Sequence, residues 1–167
     1  GDFFQITLSD PAYFLDLAVY LRSCLISLSD DIETKYDARL SLSYSEMDFS
    51  TELKDRSYFE EAYLLSGRGL DNMPKNMMME FNSSIEGWHR SFNGPIRLLD
   101  FIIGSLSKPQ AQVLSEIILE RKINVLGLSA RTGKTQQNIY KLMERGGIRQ
   151  IYDFLEYSRD QIHFLRR

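Results

Sequence analysis

Residues 127–135 read GLSARTGKT and narrow the possible folds more than any other stretch of the chain. A phosphate-binding loop has the pattern G-x-x-x-x-G-K-[ST], which requires a glycine five residues before Gly133. That position holds Leu128, and Gly127 comes one residue too early. The extra residue disturbs the backbone N–H groups that surround a phosphate in such loops. Because only 32 residues follow Thr135, too few for the remaining sheet and helices, we expect that the chain is not a P-loop nucleoside triphosphatase.

The same stretch fits two short helices joined by a glycine turn. Asn124 predicts the N-cap of a helix over residues 125–132, because asparagine favours that position. Gly133 supplies the turn, and Thr135 predicts the N-cap of a second helix over residues 136–145. The sequence therefore predicts a helix, a glycine turn and a helix.

The helical period divides the two helices into an inward and an outward face. The second helix is expected to end at Gly146-Gly147. The residues predicted to point inward are Leu128, Ile139 and Met143. The residues predicted to point outward are Gln136, Gln137, Tyr140 and Lys141.

A second helix that begins with Thr-Gln-Gln is typical of a helix that reads DNA. Its first residues meet base edges, and glutamine pairs with adenine through two hydrogen bonds. Neighbouring Lys and Arg side chains are expected to neutralise phosphates. The predicted DNA-binding residues are Arg131, Lys134, Thr135, Gln136, Gln137, Tyr140, Lys141 and Arg145. A helical hairpin that contacts only protein is the alternative.

The charges along the chain are distributed unevenly. The net charge is −3, yet residues 107–167 hold 11 Lys and Arg against 6 Asp and Glu, whereas residues 1–106 hold 9 against 17. A positive C-terminal part indicates a module that meets a polyanion. A solvated surface with an uneven charge distribution is the other interpretation.

Composition places the chain among ordinary globular proteins. Apolar residues make up 43% of the 167 residues and charged residues 26%, which is enough for one sizeable core or two small ones. Cys24 is the only cysteine, so no internal disulfide forms and a reducing compartment is indicated. No apolar run is expected to approach the length of a membrane span, and no signal peptide is visible. We therefore expect a cytoplasmic protein without a membrane partner.

The first half of the chain alternates strand and helix patterns. Strands are predicted at residues 3–8, 38–47 and 77–81, and helices at residues 11–28 and 59–73. Asp10 is expected to cap the first helix, with Pro11 in its first turn, and this helix is expected to pack on the sheet. The apolar positions predicted to face the core of that helix are Phe14, Leu17, Ala18, Leu21, Leu25 and Leu28.

The strand pattern ends near residue 90, and helices follow one another. Helices are predicted at residues 96–105 and 108–122, before the pair at residues 125–145. The fold class is therefore α+β, with a sheet-and-helix module at residues 1–90 and an all-α helix-turn-helix module at residues 91–167. In the segment 66–68, helix packing by Gly67 is favoured over a phosphate contact by Arg68.

Three short motifs carry a resemblance to a known family. Residues 1–5 read GDFFQ, residues 38–46 read ARLSLSYSE and residues 66–71 read SGRGLD. In this order, and followed by a C-terminal helix-turn-helix, they resemble the SatD family of bacterial proteins. The N-terminal part of that family is similar to the ferredoxin-like core of nucleotidyl cyclases and GGDEF domains. The C-terminal part resembles sigma-factor-type helix-turn-helix modules.

The resemblance implies a partial ferredoxin-like module, truncated at its N-terminus. In that family the strand that matches residues 38–46 is usually glycine-rich, whereas this chain has Ser41 and Ser43 in place of glycines. A cyclase reaction requires two metal-binding carboxylates, of which Asp2 supplies at most one. His89 and His163 have no partner at metal-ligand spacing. We therefore expect no catalytic residue, no metal site and no cofactor, and any small-molecule ligand is unknown.

The sequence favours a bacterial DNA-binding transcriptional regulator that is not an enzyme. The expected partner is double-stranded DNA, bound by a homodimer, because one helix-turn-helix covers only one half-site. The dimer is expected to form through the apolar helices between Ile96 and Lys122 or through Ile151, Phe154, Leu155 and Ile162. The alternatives are a nucleotide-binding or degenerate cyclase-like module whose helical tail mediates oligomerisation, and a protein-interaction scaffold.

Overall fold

The computed structural model describes residues 4–30, 34–45, 57–85 and 87–165, without the side chains of residues 57–60 and 165. Parts of several predictions lie outside these described residues. They are the motif residues Gly1, Asp2 and Glu46, the strand residues Phe3 and Met47, and residues 31–33 and 48–56.

The chain has α+β architecture and is mostly helical, which confirms the predicted fold class at this level. The strands are β1 (Leu40–Tyr44) and β2 (Met79–Ser83). The helices are α1 (Phe14–Leu28), α2 (Ser57–Asn72), α3 (Trp88–Ser105), α4 (Lys108–Glu120), α5 (Val125–Thr132), α6 (Gln136–Arg145) and α7 (Ile148–Leu165).

The chain divides into two compact units that interleave along the sequence. One unit contains Gly1–Pro11 and Arg39–Asp100, and the other contains Ala12–Ala38 and Phe101–Arg167. The units differ from the predicted modules at residues 1–90 and 91–167 because α1 packs against α4 and α7.

The first unit is built on a small parallel sheet. β1 pairs with β2 in the register Leu40 with Met79, and α2 connects the two strands. The side chain of Asn93 binds the Phe81 main chain, accepting from its N–H at 2.9 Å and donating to its C=O at 2.7 Å. Asn93 is buried, so this side chain closes one edge of β2 in place of a third strand. A ferredoxin-like sheet is not confirmed.

The part of the predicted strand that the structure describes, residues 4–8, belongs to neither β1 nor β2. Their polar side chains bind α2 instead. The Gln5 amide donates to the Ser66 hydroxyl at 2.9 Å and to the Tyr63 carbonyl at 3.1 Å, and Thr7 is hydrogen-bonded to the Tyr63 hydroxyl at 2.8 Å. The polar positions of the alternating pattern at residues 4–8 therefore make side-chain contacts with α2 and not the main-chain pairing of a strand.

A close approach of α2 to the sheet depends on glycine, at a different position from the one expected. A Cβ atom on Gly69 would lie 2.2 Å from Asn82 Nδ2 and 2.4 Å from Ser41 Oγ. A Cβ atom on Gly67 would meet only Gln5 Nε2, at 3.9 Å. The helix-packing role predicted for Gly67 therefore belongs to Gly69.

The buried face of α1 differs from the predicted one. Its N-cap is Tyr13, not Asp10, and Pro11 begins a preceding 3-10 turn. Of the predicted positions Ala18 is buried, whereas Leu28 is 65% exposed. The residues of α1 that are buried are Leu15, Asp16, Ala18, Val19, Arg22, Ser23 and Ile26.

Two charged side chains lie on this buried face, and each has an oppositely charged partner. Arg22 donates to both carboxylate oxygens of Asp37, at 2.8 and 2.7 Å. Asp16 accepts a hydrogen bond from Arg159 of α7. Buried charges require such partners, which the sequence pattern does not reveal. The buried face of α1 therefore could not be recognised from its apolar residues alone.

The segment Pro11–Leu28 is long and apolar enough, by length and composition, to cross a membrane. This corrects the expectation that no stretch approaches the length of a span. Half of the 18-residue window is buried inside the structure, and a core helix passes the same test. Its packing against α4 supports the core interpretation.

The later helices follow the predictions closely, with one exception at α3. This helix starts at Trp88 and continues through Pro95, whereas the prediction began at residue 96. Proline lacks a backbone N–H and usually ends a helix, which explains the error. In α7, Ile151, Leu155 and Ile162 are buried in the chain's own core. These three side chains are therefore not available for the predicted dimer contact.

Candidate nucleic-acid interface

The helix, glycine turn and helix predicted at residues 124–147 form as expected. The Asn124 side chain accepts a hydrogen bond from the Gly127 N–H at 3.1 Å and caps α5. The Thr135 hydroxyl accepts from the Asn138 N–H at 3.2 Å and caps α6. Gly133 has φ +67°, the left-handed conformation that glycine adopts without strain. The bounds of both helices are set by these local signals.

This geometry also excludes a phosphate-binding loop at the same residues. Gly127 lies inside α5, and its N–H donates to the capping side chain of Asn124. This N–H is therefore not available to bind a phosphate, as it would be in a phosphate-binding loop. A Cβ atom on Gly127 would lie 2.9 Å from Asn124 Nδ2. The first glycine of the stretch therefore makes room for the cap of α5.

The turn itself is held by a hydrogen bond that the sequence did not indicate. The Ser129 hydroxyl of α5 donates to the carbonyl of Lys134 at 2.6 Å. The Thr132 hydroxyl donates to the Leu128 carbonyl at 2.7 Å. The first bond spans the turn from α5 to Lys134, and the second lies within the last turn of α5.

The inward and outward faces agree with the helical period. Leu128 and Ile139 are fully buried and Met143 is nearly so, where α6 packs against α4, α5 and α7. The side chains of Gln136, Gln137, Tyr140 and Lys141 are exposed. The first turn of α6 therefore presents two amides to solvent from a helix whose other face is anchored in the core.

The basic residues around this surface fall into two groups. Arg131 is paired with two carboxylates of α4, with Nε 2.7 Å from Glu116 Oε2 and Nη1 3.8 Å from Glu120 Oε1. Lys134 Nζ donates to the neutral amide oxygen of Gln112 at 2.6 Å. The charge of Arg131 is thus balanced by carboxylates of α4, whereas among the described residues Lys134 has no carboxylate partner.

The remaining cations of the predicted site are exposed. Lys141 and Arg145 lie on α6, and within the described parts of the chain neither forms an ion pair. Arg149, in the first turn of α7, is also exposed and was not among the predicted residues. Arg149 is four residues after Arg145, a spacing that places two side chains on one face of a continuous helix. Here α6 ends at Arg145 and α7 begins at Ile148, so that spacing does not place Arg149 on the face of α6.

The end of α6 is formed by two glycines with different roles. A Cβ atom on Gly146 would lie 3.1 Å from both Leu106 Cδ2 and the Leu142 carbonyl oxygen. Gly147 has φ +59° and turns the chain into α7. Packing on one glycine and backbone conformation at the other therefore set where α7 begins.

The described residues contain no group of three or more His, Cys, Asp or Glu side chains arranged to hold a metal ion. His89 lies next to Asn93 in α3, with Nδ1 3.1 Å from the amide nitrogen. The most distinctive surface of this part of the chain is the exposed polar face of α6, together with the cations Lys134, Lys141 and Arg145. Comparison of the chain with protein-family models, with curated proteins and with solved structures gave no match.

Proposed function

We propose that this protein is a bacterial transcriptional regulator that binds double-stranded DNA through α6. The observation that carries the proposal is the exposed pair Gln136 and Gln137 in the first turn of a helix whose opposite face is buried. Residues at this position of a recognition helix reach base edges in the major groove, and glutamine pairs bidentately with adenine. Tyr140, one turn further along and 56% exposed, is suited to a sugar-phosphate or thymine methyl contact.

Phosphate contacts come from the cations beside this helix. Lys134 lies in the turn before α6, and Lys141 and Arg145 lie along α6. Thr135 remains in the proposed interface through its exposed position at the N-cap. Each phosphate that a cation neutralises releases condensed counterions, so binding weakens steeply as salt rises.

The proposal includes two DNA-bound copies of the chain. One recognition helix covers a single half-site, and specific binding by such modules commonly uses two-fold symmetry. Phe101 is 78% exposed and Leu119 is 61% exposed, and both belong to the apolar helices between Ile96 and Lys122. These side chains are available for a contact between copies, in contrast to the buried face of α7.

Membership of the SatD family, a ferredoxin-like N-terminal module and a cytoplasmic location complete the proposal. The support for membership is the order of the three motifs and the helix pair that follows them. Two strands joined through a helix support the N-terminal assignment. We further propose that the chain is a regulator without catalytic activity and without a cofactor.

The test compares one selected DNA site with its scrambled duplex by fluorescence anisotropy, using the whole chain because α1 packs against α4. Gln136→Ala or Gln137→Ala should cost about 1–3 kcal/mol on the selected site and little on the scrambled one. Asn76→Ala removes an exposed amide outside the interface and should change neither affinity. A protein that binds neither duplex at low salt would overturn DNA binding and favour a helix pair that contacts protein.

A further inference from the structure

The guanidinium of Arg131 is held by two carboxylates that lie one helical turn apart on α4. Nε is 2.7 Å from Glu116 Oε2, and Nη1 is 3.8 Å from Glu120 Oε1. The three side chains are about one-third exposed, at 34%, 28% and 36% respectively. They therefore form a partly shielded cluster whose formal charge is −1.

Arg131 and Lys134 occupy opposite ends of the same turn yet have different partners. The partner of Lys134 is the amide of Gln112, which carries no charge, and in the part of the chain that the structure describes no carboxylate balances the lysine cation. The partners of Arg131 are anionic, and both come from the helix on which α5 and α6 pack. Only one of these two predicted phosphate contacts thus presents a net positive charge to a polyanion.

We propose that Glu116 and Glu120 hold Arg131 as a positioning residue, tying α5 to α4, and exclude it from the phosphate contacts of the DNA complex. This inference rests on the proposed function. A phosphate that approached Arg131 would meet two carboxylates within hydrogen-bonding or ion-pair distance of the same guanidinium, and like charges at that range repel. The negative cluster marks the edge of the DNA-binding face on the α5 side, while Lys134, Lys141 and Arg145 carry the phosphate contacts.

The test measures the salt dependence of binding to a labelled mixed-sequence duplex. The affinity falls as salt rises, and the slope is the magnitude of the gradient of log K against log salt. Each cation that contacts a phosphate adds about 0.9 to this slope. Lys134→Ala should therefore lower the slope by about 0.9, and Arg131→Ala should leave it unchanged. Glu116→Gln with Glu120→Gln should steepen the slope by about 0.9, because the freed Arg131 gains a phosphate contact. Adding Arg131→Ala to that pair should abolish the increase.

The outcomes separate this inference from the proposed function. An Arg131→Ala variant that lowers the slope as much as Lys134→Ala shows that Arg131 contacts phosphate, and the inference fails while DNA binding stands. A wild-type protein that binds no duplex at low salt removes the proposed function instead. The Nε–Hε NMR signal of Arg131 in the free protein then decides on the contact with α4. The contact requires a slowly exchanging signal that is lost in Glu116→Ala, which removes the acceptor, and a signal unaffected by that change overturns it.

Discussion

Two glycines of α2 give the sharpest test of how this helix packs, because the same substitution should have opposite effects at positions two residues apart. At Gly67 an added Cβ atom meets nothing nearer than 3.9 Å. Alanine is favoured over glycine in a helix interior by about 1 kcal/mol, so Gly67→Ala should stabilise the protein by up to about that amount.

At Gly69 the added Cβ atom would lie 2.2 Å from Asn82 Nδ2 and 2.4 Å from Ser41 Oγ. These two groups are hydrogen-bonded to each other at 3.3 Å, so a shift of either breaks the bond. Overpacking costs about 1–3 kcal/mol and the lost hydrogen bond costs about 1 kcal/mol. After subtracting about 1 kcal/mol for helix propensity, Gly69→Ala should destabilise the protein by about 2 kcal/mol.

The assay is urea unfolding followed by tryptophan fluorescence. Trp88 is the only tryptophan, it belongs to the same unit as α2, and it stacks on Tyr44 of β1 with ring centroids 4.8 Å apart. Its signal therefore reports the unfolding of that unit. Asn82→Ala makes room for the new methyl group and should recover part of the loss in the double variant. Equal shifts of the same sign for the two glycine variants would refute this account of the packing.

Three further predictions concern the second unit. Asp37→Ala leaves the Arg22 guanidinium, which has no solvent exposure, without this carboxylate and should cost about 3–5 kcal/mol in chemical denaturation, whereas Asp37→Leu with Arg22→Met should restore most of that. Burial raises the pKa of Asp16 above its usual 3.8 despite the neighbouring Arg159. The folded state therefore binds this proton more tightly than the unfolded state, and stability falls as pH rises from about 3.8 through the raised pKa. The free energy of unfolding of Asp16→Asn should therefore rise relative to that of the wild type as pH rises through that window, and the exposed Asp153→Asn serves as the matched control variant. Gly133→Ala has open space for its Cβ atom but requires φ +67°, so it should cost about 1–2 kcal/mol in thermal unfolding, and Gly133→Asn should cost less.

Local signals were sufficient for α5 and α6. Their caps, Asn124 and Thr135, act on N–H groups three residues further along, and Gly133 acts on the backbone at its own position. Each of these effects is contained within a few neighbouring residues, so the sequence alone determines it. The exposure of Gln136 and Gln137 then follows from the helical period.

Contacts between distant residues account for the errors elsewhere. The core face of α1 contains Asp16 and Arg22, whose partners Arg159 and Asp37 lie 143 and 15 residues away. A prediction that assigns charged residues to the surface therefore places the wrong face of α1 in the core. The strand pattern at residues 4–8 is misleading for a similar reason, because the partners of Gln5 and Thr7 lie on α2, 56 or more residues later.

The same distinction applies to the electrostatics of the proposed interface. Counting Lys and Arg around the turn gives equal weight to Arg131, Lys134, Lys141 and Arg145 because a sequence count does not include partners on another helix. The carboxylates of Glu116 and Glu120 lie 15 and 11 residues before Arg131, and packing of α5 on α4 brings them to it. The salt slope depends on phosphates that the protein actually neutralises, so it should reflect three of these four cations.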